Sequence, residues 1–351
     1  MHAIISIFVV ITLLQVFTAP CVESFGGLQS PSRSRDSKSY AAGNSGSTNQ
    51  ALQPGDTVAV MGASGNVGKL VALRLSDTYK VNGIVRDASS VESFFEGRND
   101  RIQLYEANLL EELMNTNGNK PCPPSLVEPL KNANALIICT GTTAFPTQAW
   151  TKSGDQQIAA SVLRSLVDNS FDIGNAIASL DEQGFNTPNN VDAKSNAFLV
   201  EAWNDVCQVP QKRIIMLSSI GVQRRNSMPF PVLNACGVLD AKAEGEESVQ
   251  EAAQQRGYSY TIVRPGQLFG GPYDNNYYLG TLFQLDKDAK TQDVEVGRGD
   301  ELLGDTLRST LAEVTAQLCE GDCARDMDFA VVNTKGECPS VEMVQERLRA
   351  L

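Results

Sequence analysis

Histidine is nearly absent from this sequence. The single one, His2, falls in an N-terminal segment that reads as a cleaved leader, so the rest of the 351-residue chain has none. That excludes Ser-His-Asp triads and His-ligated metal centres, and no metal site is expected. Eight cysteines are present, but no two have the CxxC spacing of thiolate metal sites and redox pairs. Basic residues are scarce: 29 Lys and Arg stand against 41 Asp and Glu, a net charge of −12. Binding to a phosphate backbone needs clustered cations, so nucleic acid is not an expected partner. Long apolar runs are missing as well. The longest, Ile4 to Phe17, has roughly 14 residues where a membrane span needs about 20. No transmembrane helix is therefore expected in the mature chain.

What is present begins with an address. The run from Ile4 to Phe17 has the length of a signal-peptide core, and Val22-Glu23-Ser24 offers a cleavage site. Residues 1–24 are read as a signal peptide; an uncleaved anchor is the competing reading. Residues 25–53 follow, starting at Phe25 and rich in Ser, Gly and Asn. They carry Arg33, Arg35 and Lys38 against the single acid Asp36. This is transit-peptide composition, too poor in apolar residues to build a core. The combination resembles the bipartite presequences of diatoms and related algae with complex plastids, which implies a plastid protein. A signal peptide followed only by a linker would imply the secretory pathway. Thiols without a disulfide framework suit the reducing plastid stroma.

From residue 54 onward the pattern is that of one globular domain; hydrophobic residues make up 42% of the chain. Six short apolar, β-branched runs read as buried strands: Thr57 to Met61, Val81 to Val85, Ile102 to Tyr105, Ala135 to Cys139, Arg213 to Leu217 and Tyr260 to Val263. Helical spacing separates most of them: Lys69 to Leu75, Leu126 to Lys131, Asn196 to Asp205 and Asp240 to Arg256. Such alternation predicts an α/β, doubly wound Rossmann fold with a mostly parallel sheet, plus a small C-terminal substrate-side region. Residues 152–190 break the alternation. They read as an insertion with helices at Ile158 to Val167 and Phe171 to Leu180 and a loop around Pro188. Cys319 and Cys323, four apart, would share a helix face and could pair with each other or with Cys338; ordinary thiols are the other reading.

The chemistry starts at GASGNVG, which is Gly62, Ala63, Ser64, Gly65, Asn66, Val67 and Gly68. A strand precedes it and a helix follows, the context in which such glycines bind a dinucleotide. Gly62 permits the tight turn, Gly65 the approach of the pyrophosphate, and Gly68 the close packing of helix on sheet. Arg86 ends the second strand. An acid there would hold the ribose 2′-hydroxyl of NAD(H), whereas Arg pairs with the 2′-phosphate of NADP(H), which is the expected cofactor. Asp87, its neighbour, argues the other way. Asn108 and Leu109 follow the third strand, where adenine contacts are expected. Thr140 and Gly141 end the fourth strand, along the expected cofactor path.

These features resemble the atypical short-chain dehydrogenase/reductase superfamily: the glycine loop, Arg86, the Ser218-Ser219 pair, Lys242 and the turn Arg264-Pro265-Gly266. More specific stretches are CTGTTAFP (Cys139 to Pro146), TPNNVD (Thr187 to Asp192), SSIGV (Ser218 to Val222), GVLDAKAEGEESV (Gly237 to Val249), VRPGQLFGGPY (Val263 to Tyr273) and GRGDELLGD (Gly297 to Asp305). They resemble a plastid NAD(P)-binding subgroup that is similar to photosystem II assembly factors. The resemblance implies that Ser219 polarises a substrate and that Lys242 holds the nicotinamide ribose. It also implies a Tyr four residues before that Lys, as the acid that moves a proton. Here Val238 stands at that offset. Tyr273, Tyr277, Tyr278 or Asp240 would have to substitute. Two readings follow. One is a dinucleotide-binding protein that assists or regulates a thylakoid protein complex. The other is an NADPH-dependent reductase of a small carbonyl or enone compound.

Overall fold

A computed structural model describes residues 51–115, 122–152, 158–270 and 291–351. The expected signal peptide and all but the last residues of the transit-peptide-like stretch lie outside them. The six apolar runs form β1 (Thr57–Met61), β2 (Lys80–Val85), β3 (Ile102–Glu106), β4 (Ala135–Ile138), β5 (Arg213–Leu217) and β6 (Ser259–Pro265). Between them lie α1 (Gly68–Leu75), α2 (Leu109–Asn115), α3 (Pro124–Leu130), α4 (Ile158–Asp168), α5 (Ile173–Glu182), α6 (Asn196–Val206), α7 (Phe230–Leu233) and α8 (Val238–Arg256). The chain then adds β7 (Gln267–Phe269), β8 (Asp293–Arg298), β9 (Asp305–Leu307), α9 (Arg308–Glu320), β10 (Met327–Thr334) and α10 (Val341–Arg349).

The main sheet runs β3-β2-β1-β4-β5-β6-β10-β8, parallel throughout except for β8 on β10. Strand order reverses between β1 and β4. In sheets of this kind the crevice at the carboxyl ends of the strands flanking that reversal receives the ligand.

Every strand residue of β1 after Thr57 is buried, yet the two faces are distinct. Val58 and Val60 pack with Val71, Leu75, Leu311, Val314 and Leu348, beneath α1, α9 and α10. Ala59 and Met61 pack with Leu126, Leu130, Leu199, Trp203 and Val249, beneath α3, α6 and α8. This is period-two alternation inside a strand covered on both sides, which explains why its sequence reads as an unbroken apolar run. Leu52, 7% exposed, joins the first of these cores.

In the C-terminal region, among the described residues, β7 and β9 form a separate two-stranded sheet past β6; β10 and β8 extend the main sheet, and α9 covers α1. Arg74 of α1 fixes that contact through Glu313 (2.7 Å) and Glu320 (3.0 Å) of α9. At the end of α9 the fully buried Arg213 donates to Thr261 Oγ1 (2.6 Å) and to the carbonyls of Leu318, Cys323 and Ala324. Cys319 and Cys323 do not share a helix face, because α9 stops at Glu320 between them. The seven described cysteines are free thiols, and burial pushes Cys319 up to about 12. Among the described residues no helix is long and apolar enough to cross a membrane.

The insertion does contain two helices, α4 and α5. The loop expected around Pro188 is instead a π-helical turn, Asn189–Ser195, that runs directly into α6. Its side chains explain the change. Thr187 Oγ1 and Asn189 Nδ2 both donate to the Asp181 carboxylate at the end of α5, the second at 2.7 Å. Asn190 Nδ2 donates to the carbonyls of Asp181 and Phe185, at 2.9 Å each. The asparagines that signal a loop in sequence are here consumed in tying the insertion to the turn.

Candidate functional site

The loop Gly62–Gly68 joins β1 to α1 at the carboxyl edge beside the strand-order reversal. Gly62 has φ +82°, and its N–H donates to Ile84 O at 3.0 Å, which sets the turn against β2. A Cβ on Gly68 would lie 2.1 Å from Gly62 O, so α1 starts in direct contact with the turn below it. Ala63 and Val67 are buried in the core and back the loop, while Gly65 is exposed and Ser64 and Asn66 are half-buried. Val67, at the N-cap, makes no side-chain cap, and no acid occupies the first turn of α1. An uncapped helix N-terminus behind a loop whose glycine positions leave little room for a Cβ fits a pyrophosphate.

Arg86 is exposed just past β2. The neighbouring Asp87 is exposed as well. Its Oδ1 accepts from Ser89 N (3.0 Å) and Ser89 Oγ (2.7 Å), and these bonds hold its carboxyl below the usual range. Asn108 is half-buried, and its carbonyl takes the Glu112 N–H at 2.9 Å to start α2. Leu109 points into the core with Ala107 and Met61, so its side chain contributes packing.

Past β4, the chain comes against the glycine loop. A Cβ on Gly62 would meet Thr140 N at 3.2 Å. One residue on, a Cβ on Gly141 would meet Lys242 Nζ at 3.2 Å and Asp192 Oδ1 at 3.4 Å. Lys242 and Asp192 form a buried ion pair at 2.6 Å; the Lys242 side chain is 9% exposed and that of Asp192 0%. Asp192 Oδ2 also accepts from Thr142 N at 3.1 Å. Burial pushes the Asp192 carboxyl up, and the Lys242 ammonium and the Thr142 N–H oppose the shift. Asn196 ties the same corner together: it accepts from Thr140 Oγ1 (2.7 Å) and donates to Asp192 O (3.0 Å). A Cβ on Gly245 would lie 2.4 Å from Asp192 O, so α8 packs directly on the π-helical turn.

Asp192 is the functional-site residue that sequence reasoning missed. It sat within TPNNVD, a stretch noted only for its resemblance, and nothing in the spacing shows that a π-helical turn would bring it to Lys242.

Val238 is the first residue of α8, one turn before Lys242. It is buried with Val222, Phe230 and Leu239. The place of the expected phenol is thus filled by a hydrocarbon in an apolar cluster. Ser218 Oγ donates to Glu246 Oε1 at 2.5 Å, and Arg264 clamps the same carboxylate at 3.0 and 2.6 Å. Ser219 is half-buried, and its Oγ donates to Ile220 O at 3.0 Å. Asp240 is exposed and pairs with Arg225 at 2.8 Å, on the outside of the helix. Tyr273, Tyr277 and Tyr278 lie outside the described residues.

Comparisons with known proteins agree with this geometry. No curated protein sequence matches the chain. The fold is similar to that of the oxidoreductase ylbE from Lactococcus lactis, with TM-score 0.52 and 16% identity over 84% of this chain and 97% of that one. It is also similar to a protein described as an NAD-dependent epimerase/dehydratase from Bacillus halodurans, with TM-score 0.51 and 17% identity over 83% and 100% of the two chains. At such identities the likeness is one of fold. The NAD(P)H-binding family matches residues 62–319, from the first glycine of the loop to the end of α9. The chain therefore belongs to the NAD(P)H-binding family.

Proposed function

We propose that this chain is a plastid NADP(H)-binding protein of the atypical short-chain dehydrogenase/reductase type that holds the dinucleotide as a redox-linked ligand while assisting or regulating a thylakoid protein complex. The observation that carries this reading is Val238. A hydride transfer to a carbonyl needs a proton donor at the substrate oxygen. The position one turn before Lys242 instead packs against Val222, Phe230 and Leu239. Binding and chemistry are separable here, because the phosphate loop reports only the first. The preference for NADP(H) over NAD(H) rests on Arg86, exposed at the end of β2, and on Asp87, whose Oδ1 accepts from Ser89. The presequence composition supports the plastid, with the secretory pathway as the alternative.

The test is fractionation of plastids under reducing and oxidising NADPH/NADP ratios. The expected result is co-migration with a thylakoid complex that changes with the ratio. A protein that stays soluble and alone at both ratios contradicts the assembly role.

A second reading, an NADPH-dependent reductase of a small carbonyl or enone, draws on Ser219 and Lys242, which remain at the carboxyl edge. The nicotinamide would supply the hydride. Ser219 would polarise the substrate and Lys242 would fix the ribose. This reading requires NADPH consumption that Lys242→Ala abolishes.

A further inference from the structure

We propose that Asp192 is a positioning residue of the cofactor cleft: its buried carboxylate holds the Lys242 ammonium at Gly141, where the ammonium takes the ribose that follows the pyrophosphate on the nicotinamide side. The inference rests on the dinucleotide reading above and adds a residue to it. The path is continuous. Gly62 of the phosphate loop abuts Thr140, and Gly141, the next residue, abuts Lys242 Nζ. The residue against the ammonium thus follows directly on the residue against the phosphate loop, as a ribose follows directly on the pyrophosphate.

A lysine alone would hold this position poorly. Its four-carbon stem is flexible. Asp192 corrects this fault. It takes one of the three ammonium donors at 2.6 Å and leaves the others for a ligand. The lysine keeps the small accessible area of the pair and the aspartate none, so the carboxylate supports from behind. Asp192 is itself fixed by Thr142 N, by Asn196, and by the tight seat of α8 on the π-helical turn at Gly245. Thr187, Asn189 and Asn190 lock that turn to the insertion, which gives residues 152–190 a structural purpose. The partner of this lysine is thus a carboxylate sealed from the cleft rather than a phenol open to it. That arrangement suits holding a ribose more than moving a proton.

The test uses two ligands on the full mature chain. NADPH spans both halves of the cleft, whereas 2′,5′-ADP carries only the adenosine half and its 2′-phosphate. Asp192→Asn keeps the shape of the side chain but removes its charge and leaves a single acceptor oxygen, so only one of the bonds from Lys242 Nζ and Thr142 N can survive. Losing one charge-assisted hydrogen bond to the ligand weakens binding roughly tenfold to a hundredfold. The expected result is such a loss for NADPH, with 2′,5′-ADP affinity within about twofold of wild type. Lys242→Met should show the same pattern. The double variant Asp192→Asn/Lys242→Met should be no worse than Lys242→Met alone, because the two residues act as one unit. It also removes both buried charges, so it stays informative if Asp192→Asn alone is unstable. Wild-type NADPH affinity in Asp192→Asn, or additive losses in the double variant, overturns the role of Asp192. Equal loss of both ligands in a variant that melts normally overturns it too. A wild-type chain that binds neither ligand refutes the dinucleotide reading itself, and this proposal with it.

Discussion

The two walls of the cleft are made of different material. On the phosphate side, seven consecutive residues, Gly62 to Gly68, do the work with backbone, and the features that matter are places where no side chain fits. On the lysine side, the work is done by side chains from β4, the π-helical turn and α8, and the central pair, Asp192 and Lys242, is 50 residues apart in sequence. The first wall is where the family match begins. The second holds Lys242 paired with a buried carboxylate, and Val238 one turn before it. What would grip a dinucleotide and what would act on a substrate thus lie on different walls.

Substitutions on each wall should separate these roles. The largest effect is expected from Gly68→Ala, whose Cβ would lie 2.1 Å from Gly62 O. The turn must move, and NADPH and NADH should both bind on the order of 100-fold more weakly by calorimetric titration. Next is Val238→Tyr, which puts a phenol one turn before Lys242. The site is closed by Val222, Phe230 and Leu239, so overpacking should cost about 2 kcal/mol in urea denaturation and NADPH affinity should not improve. A gain of carbonyl reduction in this variant would mean that only the hydroxyl is missing. Arg86→Ala should weaken NADPH roughly tenfold and leave NADH unchanged, since an Arg-phosphate bond is lost in the first case only. Equal losses would show that Arg86 does not meet the 2′-phosphate. The smallest effect is Ser89→Ala. It removes one of the two bonds that Asp87 Oδ1 accepts, and the freed carboxylate should cost NADPH, but not NADH, about twofold.

Legibility in the sequence followed the same division. The six leading strands could be read because each is a short β-branched run ended by turn residues, and the glycine loop because its meaning is local. Strands β8 and β10 were harder. Asp293–Arg298 alternates charged and apolar residues as an edge strand does, and no helical segment separates it from the turns around it in sequence. The π-helical turn was not legible, because Pro188 and two asparagines favour a loop until Asp181 supplies partners for Thr187 and Asn189. Asp192 stayed hidden for that reason. Its charge gave no hint of burial, and only the seat of α8 at Gly245 brings it to Lys242. The side chain of Leu109 packs in the core, which the sequence does not reveal, since an apolar residue at a helix start suits either a ligand or the core until its neighbours are known.

The measurement that tests the central claim most directly is a titration of the mature chain with NADPH, continued as a turnover assay with a panel of carbonyl and enone compounds. The expected result is saturable one-to-one binding, tighter than for NADH, with no loss of the reduced cofactor. Steady NADPH consumption that Lys242→Ala abolishes would contradict the claim that this cleft holds the dinucleotide without using it, and absence of binding would contradict the site altogether.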